Sequence, residues 1–188
     1  LKTKQLNHEL GTLIIMEGSK VIEQSEIQTS SGSNFSIKNL FFNTPARRNF
    51  LKSDRVESRH VTEEFLRVAL VHPEISFHFY DNDEQKYFLP ESGLKRRIVS
   101  LFHKKYNEQL LEVSESTGIV NVYGFVGKPE MAKKTRGEQY LFVNSRFIKH
   151  PYFNHAVQNA FDDMLTEGSF PSYFLYLEVD ATKIDINI

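Results

Sequence analysis

The chain has 188 residues, 40% of them hydrophobic, with no cysteine and no tryptophan, and 23 Lys+Arg against 24 Asp+Glu leave a formal net charge of −1. Absent cysteine excludes a disulfide scaffold, thiolate catalysis and cysteine-ligated metal, and it fits a reducing compartment. No apolar run reaches the ~20 residues of a membrane helix, so the expectation is a cytoplasmic α/β protein with no membrane partner, whose balanced charge alone names no polyanion.

In chain order, residues 13–16, 21–27 and 35–40 read as strands, separated by Glu17-Gly18-Ser19 and a polar stretch over 29–34. Val61, Phe65, Val68, Ala69 and His72 recur at helical spacing, with Ser58 as the expected N-cap and Pro73 as the stop. Residues 75–80 and 86–89 flank Asp81-Asn82-Asp83-Glu84, a hairpin signal. Pro90-Glu91-Ser92-Gly93 is the strongest domain punctuation, dividing 1–92 from 93–188. Beyond it, Leu94, Ile98, Leu101 and Phe102 predict a helix over 94–105 with Arg96 and Arg97 off its apolar stripe. Strands are expected over 110–114, 119–126 and 138–143. Between the last two, residues 127–137 read as a loop too polar to pack. A helix over 152–165 and strands over 173–179 and 184–188 complete the reading.

Charge is unevenly distributed. Residues 1–92 carry 11 Lys+Arg and 13 Asp+Glu, residues 93–149 carry 11 and 5, and residues 150–188 carry 1 and 6, giving −2, +6 and −5. A basic block suits phosphate, because each cation brought to a phosphate releases condensed counterions; a solvated surface answered by nearby glutamates is the bland alternative.

Familiar catalytic patterns are missing. There is no G-x-x-x-x-G-K-[ST], no G-x-G-x-x-G after a strand and no G-x-S-x-G. His150 and His155 are five apart across Pro151, which suits capping better than metal binding, and Asp81-Asn82-Asp83 lacks the glycine and glutamate of a calcium loop. Glu63-Glu64 and Asp162-Asp163 are helix neighbours pointing about 100° apart, which does not make a facing acid/base pair.

Two segments are more particular. N-L-F-F-N-T-P-A-R-R-N-F-L-K-S over residues 39–53 resembles the L-F-x-N-x-P-A-R-x-K-F-L signature of the MutL family of DNA mismatch-repair proteins, with Asn49 in place of lysine. R-G-E-Q-Y-L-F-V-N-S-R-F-I-K-H-P over 136–151 is similar to that family's R-G-x-Q-x-x-F-V-N-G-R-x-I, with Ser145 in place of glycine. P-S-Y-F-L-Y-L-E-V-D over 171–180 and K-I-D-I-N-I over 183–188 match the run leading to the family's V-N-V-H-P-x-K. The match follows the whole chain in order and is of bacterial type.

The resemblance implies an α+β layout. Residues 1–92 would be the end of a GHKL ATPase domain, an α/β sandwich, and 93–188 most of a transducer domain like domain 2 of ribosomal protein S5. It implies ATP and magnesium as cofactors of a full-length weak ATPase. The family's general base, metal-binding asparagine, adenine pocket and H-P-x-K lysine match nothing in these residues, so the fragment is expected to bind no cofactor and to be inactive alone. Gly32-Ser33 stands where relatives carry Gly-Thr, making Ser33 the one nucleotide-site candidate. The implied partners are the DNA phosphate backbone, a MutS-type mismatch-recognition protein and, when full length, a second copy in an ATP-dependent homodimer.

For DNA the candidates are Lys128, Lys133, Lys134, Arg136, Arg146 and Lys149, joined by Arg96 and Arg97. Asn43, Thr44, Pro45 and Arg47 form a structural corner: Thr44 precedes proline, Pro45 suits a first helical turn, Phe41, Phe42, Phe50 and Leu51 fill a core beneath, and Arg47 is expected as a buried clamp on a carbonyl or carboxylate, with a phosphate ligand as its alternative. The competing functional reading is a stand-alone nucleic-acid-binding module built on the S5-like fold, motivated by the +6 block alone.

Overall fold

The computed structural model describes residues 1–183, so the strand expected over 184–188 lies outside the described residues. The chain forms two compact units, Leu1–Glu57 and Ser58–Ile188.

The first unit is an antiparallel sheet of β1 (Lys2–Lys4), β2 (Gly11–Glu17), β3 (Lys20–Ile27) and β4 (Gly32–Asn34), in the order β3-β2-β1-β4. Gly18 and Ser19 turn the β2–β3 hairpin with φ of 52° and 69°, the left-handed geometry glycine takes without strain. The strand expected over 35–40 does not form. β1 pairs with β4 only as far as Lys2 opposite Asn34, so no ladder partner continues past that point. Instead Asn39 and Phe41 adopt positive φ and the chain reverses into a short helix, α1 (Pro45–Asn49), whose first N–H, from Arg48, bonds the Thr44 carbonyl at 3.1 Å. Phe42, Phe50 and Leu51, expected in a core, are exposed, because within this unit four strands and a five-residue helix supply no second layer to cover them.

α2 (Asp54–Val71) carries the chain into the second unit. It starts earlier than the Ser58 cap predicts: the Ser53 carbonyl accepts from Val56 and Glu57, while Ser58 Oγ donates to Asp81 Oδ2 at 2.7 Å. Phe65 on α2 stacks on Phe79 of the hairpin β5 (Phe77–Asp81) and β6 (Glu84–Leu89), with centroids 4.5 Å apart. α3 (Leu94–Leu101) and α4 (Tyr106–Gln109) follow. The single helix expected over 94–105 is broken where His103 Nδ1 accepts the Lys105 N–H.

The main sheet has the order β10-β9-β11-β8-β7, built from β7 (Leu110–Ser116), β8 (Val120–Gly127), β9 (Gln139–Val143), β10 (Arg146–Phe147) and β11 (Tyr173–Val179). β9 and β11 are parallel, joined by a crossover through α5 (Pro151–Asn159), which ends earlier than the expected residue 165. Alternation sends Tyr140, Phe142, Phe174 and Tyr176 to the face packed with Leu70, Leu89 and Ile98. Leu141, Tyr173 and Leu175 point the other way, toward Val157 of α5. Each such side chain buried contributes about 1.5–3 kcal/mol. Tyr176 Oη also donates to the Leu70 carbonyl at 2.9 Å, tying α2 to the sheet.

These contacts explain why the compact units part at Glu57/Ser58, ahead of the punctuation at residues 90–93. The helix and hairpin bury their aromatic faces with the second unit. Arg97 completes the tie, and it lies on the buried face of α3, contrary to the expected solvent-facing position. Its Nη2 donates to the carbonyls of Ile75 (2.6 Å), Pro73 (2.8 Å) and Pro90 (3.2 Å), and the side chain is fully buried. Burial lowers the guanidinium pKa, with Glu74 opposing.

Candidate nucleic-acid interface

The loop between β8 and β9 is anchored rather than loose. Lys128 N–H donates to the Gln109 carbonyl at 2.9 Å, a 3₁₀ turn over Pro129–Met131 buries Met131, and Lys133 exchanges both backbone bonds with Phe170. Lys133 Nζ bonds Glu138 and, at 3.1 Å, Tyr106 Oη. Glu138 Oε2 in turn accepts from Tyr106 Oη at 2.6 Å and Ser172 Oγ at 2.8 Å. Burial pulls the Lys133 ammonium down, and the Glu138 and Tyr106 bonds outweigh it, leaving its pKa raised. Burial, then Glu138, raises the Tyr106 phenol. The residue expected to meet phosphate is thus held by an internal carboxylate, and Lys134 Nζ donates to the Glu167 carbonyl at 2.8 Å.

Beside this loop lies a cleft of about 550 Å³ whose lining includes Arg67 of α2, Arg136 and Gly137 at the end of the loop, Lys149 ahead of α5, and Glu63. Local structure explains the convergence. The Asn144-Ser145 turn, with φ of 45° and 65°, reverses β9 into β10 despite lacking the glycine that geometry favours. Asn144 secures it by pairing with Val179, donating from Nδ2 to the carbonyl (2.8 Å) and accepting the N–H at Oδ1 (3.0 Å). Ile148 then returns an N–H to Leu141 at 2.8 Å, and His150 caps α5 by accepting the Tyr152 N–H at Nδ1 (3.3 Å). Lys149 is thereby held at the cleft.

Two of the cations rest on aromatic rings. The Arg67 guanidinium lies 4.1 Å from the Phe147 centroid and that of Arg136 4.7 Å from Phe170. Arg67 also pairs with Glu64. The phenols behind them are dry: burial pushes Tyr140 and Tyr173 each up to about 12, with Arg67 and Arg136 respectively acting in the opposite direction. A smaller hollow of about 280 Å³ shares Arg67 and Phe147.

The remaining sequence candidates are scattered. Arg96 on α3, Arg146 at the start of β10 and Lys128 are exposed. Lys149 and Arg146 have no ion-pair partner among the described residues. Arg97 is buried on three carbonyls and out of reach of a phosphate. Arg47 is exposed and reaches only the Phe41 ring, at 5.9 Å, so it is not the expected buried clamp; Arg97 takes that role. Ser33 Oγ meets Thr3 Oγ1 at 2.9 Å on the exposed strand β4. Asn43 and Thr44 lead into α1 at Pro45, and all three are exposed. Arg67, which also lines the cleft, lies outside the basic block and has a glutamate at i−3, so its local pattern is that of a helix-surface ion pair. No group of three potential metal ligands occurs among the described residues, and no helix there is long and apolar enough to cross a membrane.

The family model described as "DNA mismatch repair protein, C-terminal domain" matches residues 98–188. Over all 188 residues the chain is 57% identical to the DNA mismatch repair protein MutL of Flavobacterium johnsoniae and 51% identical to that of Bacteroides fragilis. It spans 29% and 30% of the lengths of those two relatives. Among solved structures, the Aquifex aeolicus MutL ATPase domain complexed with ADP superposes with a TM-score of 0.76 at 22% identity, covering 99% of this chain and 72% of that one. The N-terminal domain of a DNA repair protein gives 0.74 at 17% identity, covering 100% and 62%. These structural likenesses establish the α+β fold of GHKL and S5-like type. The family model and the sequence similarity, unbroken over all 188 residues, place the chain in the MutL family of DNA mismatch-repair proteins.

Proposed function

We propose that this chain is the part of a MutL-type protein that joins the end of the GHKL ATPase domain to the transducer, near residue 92, and offers a sequence-independent surface to DNA. The parent would use ATP and magnesium, dimerise with a second copy, and act in the cytoplasm to couple mismatch recognition by a MutS-type partner to strand incision. Hydrolysis would rest on residues other than these, with Ser33 at the edge of the nucleotide site.

The observation that carries the DNA reading is the convergence of Arg136 and Lys149 on one cleft in a chain of this family. Cations on a concave surface neutralise phosphates whatever the bases, which favours backbone contact over base readout. Arg136→Glu with Lys149→Glu is the cleaner test pair, since Lys133→Glu would set a second carboxylate beside Glu138 and disturb the loop itself. In the full-length protein, fluorescence anisotropy with two unrelated duplexes should give equal affinities that fall steeply with salt, and the double variant should weaken both alike. Sequence preference, or undamaged affinity in the double variant, would overturn the proposal.

A further inference from the structure

We infer that the cleft is a built phosphate-binding site in which Arg67 of α2 is a direct ligand beside Arg136 and Lys149; this rests on, and sharpens, the DNA reading above. The starting point is that three of the neutral polar side chains lining the cleft are already engaged. Gln139 donates from Nε2 to the Pro171 carbonyl and accepts the Gly137 N–H at Oε1, both at 2.8 Å. Gln158 Nε2 donates to the Ser169 carbonyl at 3.1 Å, and Asn154 Oδ1 accepts from Tyr173 Oη. Beside Tyr140 and His155, what the walls have left to offer a ligand is the positive charge of Arg67, Arg136 and Lys149.

That charge is also preorganised. A guanidinium laid on a ring keeps its N–H edge pointing sideways and loses little rotamer freedom on binding, so two such groups resting on Phe147 and Phe170 form a ready fork for tetrahedral oxyanions. The pair with Glu64, whose side chain is 67% exposed, is a surface ion pair worth at most about 1 kcal/mol, and an incoming phosphate displaces it readily. Glu63 in the lining sets the opposing sign.

A phosphate could come from the DNA backbone or from a free anion, and the experiment separates them. Salt titrations of duplex binding by the full-length protein are compared for wild type, Arg67→Gln and Arg67→Lys. Losing one phosphate contact lowers the slope of log K against log salt by about 0.9, which over the decade from 1 M to 0.1 M is about an eightfold loss of affinity. Arg67→Lys should restore most of the slope, and Glu63→Gln should tighten binding a few-fold. If Arg67→Gln weakens binding with the slope unchanged, or changes nothing, the DNA-backbone assignment fails, while the wild-type slope still tests the broader reading. The free-anion arm uses thermal unfolding in 10 mM pyrophosphate against chloride at matched ionic strength. The part of any shift that disappears in Arg67→Gln belongs to the cleft and supports a free-phosphate ligand, whereas an unchanged shift together with an unchanged slope overturns the inference. A polyglutamate peptide that displaces DNA better than pyrophosphate at equal charge would also overturn it, in favour of an acidic protein segment.

Discussion

Replacing Arg97 by methionine removes every donor while keeping a long apolar stem, so it isolates what the guanidinium does for its carbonyls. Of the three acceptors, Pro73 keeps a second donor, the Ser92 N–H at 2.9 Å, while Ile75 and Pro90 have no other hydrogen-bond donor among the described residues. An unsatisfied buried acceptor costs about 1–3 kcal/mol, giving about 2–6 for the two as an upper bracket, since both bonds are only partly buried and water can reach these carbonyls. Against this, Arg97 Nε and Nη1 are buried without partners, a standing penalty that methionine relieves. The expected loss is therefore near the low end, about 2–3 kcal/mol. Urea titration at constant m-value measures it, and Arg97→Lys should recover about half, because an ammonium can reach some of the same carbonyls. A loss below about 1 kcal/mol, or a gain, would show that the clamp breaks even against its own desolvation and refute the reasoning.

Alkaline pH should unfold the second unit early. Tyr140 and Tyr173 have folded pKa values raised to about 12 against 10.0 free, so between pH 10 and 12 the native state holds more protons and stability falls with rising pH, by up to about 3 kcal/mol per residue. Urea midpoints at pH 8 and pH 11.5 check this, and Tyr140→Phe should flatten the dependence; absorbance at 295 nm showing all eight tyrosines titrating near pH 10 would contradict it. Gly124→Ala should abolish the native sheet: with φ of 137° a Cβ there would collide with the Phe174 carbonyl on the neighbouring strand, which has nowhere to move. Soluble, wild-type-like expression of that variant, judged by circular dichroism and thermal melting, would be incompatible with the β8–β11 register.

Periodicity made most elements legible. Alternation at Tyr173, Phe174 and Leu175 and the three-to-four spacing on α2 are local properties of the chain, and the structure puts those faces where they point. What stayed hidden depends on which strand lies alongside. Phe35 and Ile37 alternate as a strand would, yet β1 offers no partner beyond Asn34, so the pattern has no ladder to enter. Arg97 sits among cations at helical spacing, and nothing local reveals that its carbonyl acceptors lie on segments more than twenty residues upstream as well as next to it. Arg47 stands among aromatic neighbours as a buried clamp would, but Phe42 and Phe50 are exposed and leave it no core to sit in. The basic block over 93–149 contains two residues that line the cleft, Arg136 and Lys149, while Lys133 is answered by Glu138 across the very loop that made it look available.

Arg67 and Arg97 show how two side chains of one type divide between structure and binding. Both contact α2 or its end, and both lie over an aromatic ring, 4.1 Å from Phe147 and 5.3 Å from Phe77. They differ in their acceptors. Arg97, itself fully buried, meets fixed backbone carbonyls on separate segments, where the interaction exists only while α2, the hairpin and α3 stay docked; its energy therefore appears in folding. Arg67 meets a carboxylate at the surface, which a phosphate can replace, so its energy appears in binding and depends on salt. The two effects should separate in one set of proteins. Arg97→Lys should lower the urea midpoint and leave the salt slope of DNA binding intact, while Arg67→Gln should lower the slope by about 0.9 and move the midpoint little. If both variants shift both quantities, the cleft wall and the clamp are one cooperative unit, and the rigidity of α2, more than the charge of Arg67, would be what the DNA requires.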